Sequence, residues 1–290
     1  SRAFPEPSMS YATVVLPLDA HPGIDARIDQ AARLARRFDG HLVGLAAADH
    51  SLLGLAAGGG FSGAPPLAHS VQECRAAARA HALRFEERLR SAAAAPSFEA
   101  VVDDEDEVGA LVRRSTCCDL LVLGQPDPSW QGFARCREQL ERVVLQSAAP
   151  TLVLPFVAAR PQGDADTVLV AWDGSHGAAR AVAGALPALQ RASRVHLVRC
   201  ETPRDVEVPP DGGGFDLARD WLGRHGVRID THLERAGGDV AAVLLARSRE
   251  LGADLVVMGA WGLPRWAERL VGGTTRAMLA RMDVPVLMFR

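Results

Sequence analysis

The sequence predicts two doubly wound α/β domains, and three observations carry that prediction. The chain repeats itself: Asp119–Leu154 lies over Asp254–Phe289 without a gap, matching Asp119 to Asp254, Gly124 to Gly259 and Pro150 to Pro285. Short apolar runs alternate with segments of helical periodicity, the pattern of a parallel sheet whose strands are joined by crossover helices. Composition agrees, since 48% of residues are hydrophobic but only 5% aromatic, so small aliphatic side chains dominate. Such side chains suit close packing of helices on both faces of a sheet.

The starts of the two copies correspond as well. Residues 13–45 resemble residues 167–199, which sets Asp19 over Asp173, each at the end of a β-branched run. In the first copy, strands are expected at 13–18, 41–46, 97–102, 119–124 and 151–155. In the second they are expected at 167–172, 194–199, 227–232, 254–259 and 285–289. Ile24, Ile28, Ala31, Ala35 and Phe38 follow the spacing of an amphipathic helix, with Gly40 as an expected left-handed stop. Ala178, Val182, Ala185 and Leu189 repeat that pattern, and a longer helix is expected over 68–92. The Pro, Gly and Asp content of 157–166 reads as a linker. The domains are therefore expected at 9–156 and 167–290, with residues 1–8 read as a cloning remnant ahead of Met9.

Several functional classes are disfavoured. A net charge of −3 gives no electrostatic reason for nucleic acid as a partner. No apolar run is long enough to cross a membrane, and no secretory signal pattern opens the sequence. All 32 basic residues are arginine. A Walker-type phosphate loop and a Schiff-base enzyme each need lysine, so both are excluded. The 5 cysteines fit neither a disulfide framework nor a metal site, and are expected as small buried residues in a reducing cytoplasm. The nine histidines have no metal-ligand spacing, and the acidic run at 102–107 reads as helix-dipole compensation ahead of a helix at Val108. The Gly/Ala/Pro-rich loop 47–66 lacks the strand–turn–helix context of a phosphate loop.

One stretch does suggest a ligand. Residues 259–275, GAWGLPRWAERLVGGTT, follow a strand and precede a helix. In an open parallel sheet ligands sit beyond the carboxyl ends of the strands, where the strand order reverses. If strands one and four of the second copy are neighbours, Asp173 and this loop converge. Glycines let backbone N–H groups approach phosphate oxygens, and Thr274 and Thr275 are placed to add hydroxyls or to cap the helix. Spacing alone leaves ordinary turns as an equal explanation.

The pattern Gly259-x2-Gly262-x9-Gly272, followed by a helix and DVPVLMF, resembles the nucleotide loop of the universal stress protein family. The opening VLVAWDGS at 168–175 resembles that family's first strand and acidic turn. The resemblance spans nearly the whole chain as a tandem pair. It implies Rossmann-like domains, each with a five-stranded parallel sheet of order 3-2-1-4-5, a cytoplasmic stress-response role, and binding of ATP or AMP with or without Mg2+. By that likeness Asp173 would contact the adenine, and Val198 and Met258 would line the adenosine pocket. Gly259, Gly262, Gly272 and Gly273 would hold ribose and phosphates. The resemblance further implies an intramolecular pseudo-dimer through the last strands, and leaves room for a homodimer and an unnamed protein partner.

Two departures qualify this. Gly273 stands where ATP-binding relatives usually carry Ser or Thr, a lost hydroxyl that Thr274 is placed to replace. In the first copy Asp127, Arg137 and Glu138 stand where the second has Gly262, Gly272 and Gly273, so no nucleotide is expected there. The expectation is a non-enzymatic regulatory module. The alternatives are a slow ATP-hydrolysing enzyme, argued against by the lack of an activated nucleophile, and a protein-interaction scaffold with an empty pocket.

Overall fold

The computed structural model describes residues 10–48, 67–157, 166–202, 214–261 and 273–290. The loop 49–66, the linker core 158–165 and the loop positions Gly262 and Gly272 lie outside them.

The first repeat contains β1 (Thr13–Pro17), α1 (Ile24–Arg37), β2 (His41–Ala47), α2 (Leu67–Ser91), β3 (Ser97–Asp103), α3 (Glu107–Arg114), β4 (Leu120–Gly124), α4 (Phe133–Gln146) and β5 (Thr151–Leu154). The second contains β6 (Thr167–Ala171), α5 (His176–Arg191), β7 (Arg194–Glu201), α6 (Phe215–Arg224), β8 (Ile229–Arg235), α7 (Val240–Leu251), β9 (Leu255–Gly259), α8 (Thr274–Arg281) and β10 (Val286–Phe289). The expected strands are all present; the inner ones are runs buried on both faces, while the edge strands β3 and β8 are half-exposed.

The chain forms two compact units. One comprises Ser10–Leu123 and Gln146–Ala149, the other Gly124–Leu145 and Pro150–Arg290. The first unit's sheet runs β3-β2-β1-β4, with parallel pairing of β1 to both β2 and β4. Leu16, Ile28, Leu42, Phe85 and Leu89 are fully buried between sheet and helices, each contributing about 1.5–3 kcal/mol by removal from water. The other unit's strands run β5-β10-β9-β6-β7-β8, so the second repeat has the order 3-2-1-4-5. Its pairings are parallel except that β10 meets β5 antiparallel.

Local chemistry sets the helix ends. Asp106 caps α3 by accepting the Gly109 N–H, and Asp239 caps α7 by accepting the Ala242 N–H. Two other acids of the 102–107 run meet arginines, Asp103 with Arg113 and Asp104 with Arg75. The stop after α1 departs from expectation. Asp39 takes the left-handed conformation at φ 52, which a short polar side chain tolerates. Gly40 is needed for another reason: a Cβ there would come within 2.2 Å of the Tyr11 carbonyl oxygen. The cysteines also differ from expectation, since Cys117 is exposed and the other four are half-buried. Burial and the neighbouring Asp119 push the Cys118 thiol up to about 12, so it stays protonated and unreactive at neutral pH.

A buried polar chain ties β7, β8 and α7. Arg247 Nη2 donates to His232 Nδ1 at 3.0 Å, which fixes the His232 proton on Nε2, and that nitrogen lies 3.1 Å from His196 Nδ1. Arg194, Asp230, Glu234 and Glu250 complete the surrounding charges, the last two paired with Arg247. Burial and then His232 lower the His196 pKa from 6.5. The unfolded chain therefore binds more protons than the folded one as pH falls below that value. This stabilisation is full above pH 6.5 and is lost as pH drops through the folded-state pKa. Urea midpoints are expected to fall between pH 7.5 and 5.5, and His196→Gln to flatten that dependence.

Candidate functional site

In the second repeat β6 lies between β7 and β9. The connection from β6 runs one way to β7 and the chain returns on its other side as β9, so strand order reverses there and a crevice opens at the carboxyl ends. Asp173, two residues past β6, is exposed and stands on one side. Its Oδ1 accepts the Ser175 N–H at 2.9 Å across a turn in which Gly174 has φ 77. Ser175 then caps α5 by accepting the Ala178 N–H. These bonds explain the sequence DGS: an acid for the turn, a glycine for the positive φ, a serine for the cap. His176 opens the helix and is exposed, so its closeness to Asp173 in sequence makes no nucleophile–base pair.

Gly259 ends β9 on the other side. A Cβ there would lie 2.6 Å from the Ala178 nitrogen and 2.8 Å from the Gly177 carbonyl carbon. The strand end and the first turn of α5 are thus in backbone contact, and Gly259 is required for packing. Val198 and Met258 are 0% and 5% exposed, so their side chains belong to the core. The Val198 carbonyl accepts the Trp172 N–H at 2.9 Å, which ties β7 to the turn bearing Asp173.

Beyond the loop, Gly273 is the N-cap of α8 at φ −60, and among the described residues no side chain caps that helix. The first backbone N–H groups of α8 therefore receive no acceptor from their own N-cap residue. The expected capping role of the threonines is not seen. Thr274 is the first helical residue, while Thr275, 3% exposed, accepts the Trp261 N–H at 3.1 Å through its hydroxyl. That bond joins the two described ends of the loop. Trp261 is 8% exposed and holds φ 48. Nothing in the sequence signals this conformation, because a bulky side chain disfavours it.

The first repeat treats the same positions differently. Asp19 receives Arg27 through both carboxylate oxygens, at 2.7 and 2.8 Å, and also accepts the His21 N–H. Asp127 accepts from the backbone and hydroxyl of Ser129. Helix α4 already begins at Phe133, so Arg137 and Glu138 lie inside it, whereas their counterparts Gly272 and Gly273 precede α8.

A parallel sheet covered by helices, with a crevice at the reversal of strand order, defines a Rossmann-like α/β protein. The chain belongs to the universal stress protein family, whose sequence model matches residues 10–155 and again 165–290. No curated protein matches it by sequence. Among solved structures, a universal stress protein from Archaeoglobus fulgidus is similar over 97% of both chains at 17% identity, with a TM-score of 0.72. A functionally unknown protein from Pseudomonas aeruginosa is 14% identical over 96% of this chain and 92% of its own, with a TM-score of 0.57. The cytoplasmic domain of a prokaryotic cation chloride cotransporter is 12% identical over 95% and 94%, with a TM-score of 0.52. At these identities the likeness is one of fold. Among the described residues no helix is long and apolar enough to cross a membrane.

Proposed function

We propose that the second repeat binds an adenine nucleotide, ATP or AMP, in the crevice between β6 and β9, and that the chain acts as a non-enzymatic regulatory module of the stress response. The observation that carries the reading is the contrast between two equivalent acids. Asp19 is neutralised by Arg27, whose Nη2 donates to both carboxylate oxygens, while Asp173 is exposed and, among the described residues, meets only the Ser175 N–H. A carboxylate without a cation keeps acceptor capacity for an adenine amino group. The start of α8, whose N-cap Gly273 carries no side chain, adds N–H donors and a favourable dipole for phosphate. Gly259, Gly262, Gly272, Gly273 and Thr274 then serve ribose and phosphates, over a floor formed at Val198 and Met258.

The test is mass spectrometry of ligand released from purified protein, with calorimetric titration of ATP and AMP, each with and without Mg2+. One nucleotide per chain is the expected result. Absence of both a released nucleotide and any heat of binding overturns the reading.

A further inference from the structure

The strand pairing between the repeats has an approximate two-fold relation. Antiparallel β5 and β10 set Val153 against Val286, Leu152 against Leu287 and Thr151 against Met288. By the repeat correspondence Leu152 and Leu287 are the same position, so an approximate two-fold axis passes through that pair. Such an interface is built for two identical partners, where each position near the axis meets its own equivalent. The strands themselves do not discriminate between partners. Pairing β5 with a second β5, or β10 with a second β10, would again set leucine against leucine between small or apolar neighbours.

The helices beside these strands do discriminate. Glu141 on α4 and Arg276 on α8 are separated by 135 residues, the repeat offset, and so are also equivalent positions. They meet at 2.9 Å, with side chains 19% and 49% exposed. In a pair of first repeats this position would set glutamate against glutamate, and in a pair of second repeats arginine against arginine. A second asymmetric contact disfavours the pair of second repeats alone. Gln125, 5% exposed, donates through Nε2 to the Leu279 carbonyl at 2.8 Å, and its Oε1 accepts the Phe156 N–H at 3.1 Å. Its equivalent, Ala260, has no side-chain group for either bond.

We propose that Glu141 and Arg276 select which elements pair: α4–β5 with α8–β10, and not either pair with its own copy from another chain. The duplicated chain has opposite charges at a position where a symmetric dimer must repeat one charge. The partner that this surface fits is therefore the opposite repeat, in the same chain or in a second one. Like charges facing each other oppose the homotypic alternatives. This inference stands apart from the nucleotide reading.

Full-length Glu141→Arg, Arg276→Glu and the double reversal test it. Each single reversal is expected to raise the urea-unfolding equilibrium constant about three- to tenfold, given the half-exposed setting. The double reversal returns it to within about twofold of the parent, and 1 M salt shrinks the difference between single and double variants. Refolding an equimolar mixture of the two single variants is expected to give exchanged dimers in native mass spectrometry, since each chain then supplies the charge that the other lacks. A double variant no more stable than the sum of the single effects overturns the proposal. So does a mixture holding only the species that each variant forms alone.

Discussion

Replacing Gly259 with alanine is expected to destabilise the unit containing the second repeat by about 1–3 kcal/mol, the usual range for overpacking a close-packed site. The added methyl would meet the Ala178 nitrogen at 2.6 Å and the Gly177 carbonyl carbon at 2.8 Å, with the Ala178 Cα at 3.1 Å. All three are backbone atoms in the first turn of α5, so no rotamer change relieves the contact. The strand end or the helix has to move. The approach is close from the helix side too, because a Cβ added at Gly177 would lie only 3.3–3.4 Å from the Phe289 and Ala260 carbonyl oxygens. Chemical denaturation reads the effect as a lower urea midpoint with an unchanged slope. A midpoint equal to the parent's would mean that β9 and α5 do not approach as described. The measurement also matters for function, since it separates a glycine needed for packing from one needed for a ligand.

Asp173→Asn carries the largest expected effect on binding. The substitution keeps Oδ1, so the bond from the Ser175 N–H that shapes the turn survives. It replaces the other oxygen with an N–H donor, which would face the adenine amino group, itself a donor. Loss of a charge-assisted hydrogen bond of ~1.5–3 kcal/mol predicts a ten- to hundredfold weaker dissociation constant for ATP or AMP. Asp19→Asn is the matched control. It leaves nucleotide affinity unchanged and instead weakens the ion pair with Arg27, whose side chain is 12% exposed. That loss is expected to lower stability by about 1–3 kcal/mol, because a largely buried guanidinium loses its partner charge. Equal affinity in parent and Asp173→Asn would remove Asp173 from the site.

The framework was legible because its signals are local and repeated. Apolar runs of strand length and helix spacings such as Ile24, Ile28, Ala31 and Ala35 report burial directly. The gapless alignment of the two copies gave a second sample of each element. Other residues were legible in position but not in role. Gly40 read as a left-handed stop, yet Asp39 takes that conformation and Gly40 gives the Tyr11 carbonyl room. Thr275 read as a cap or a free hydroxyl, yet it is occupied by the Trp261 N–H. In each case the deciding atom comes from a strand or loop remote in sequence or across an unpatterned turn.

By itself, then, the sequence determined the duplication, the alternation of strands and helices, the absence of lysine chemistry, and the family likeness of the 259–275 stretch. These follow from residue type and spacing, which fix local conformation and the side that must be buried. Tertiary structure decided the rest. It placed β6 beside β9, sealed Asp19 with Arg27 while leaving Asp173 exposed, packed Gly259 against α5, and set Glu141 against Arg276. All of these depend on which distant backbone arrives at a given atom, and that is set by strand order and packing across the sheet, where sequence spacing carries no information.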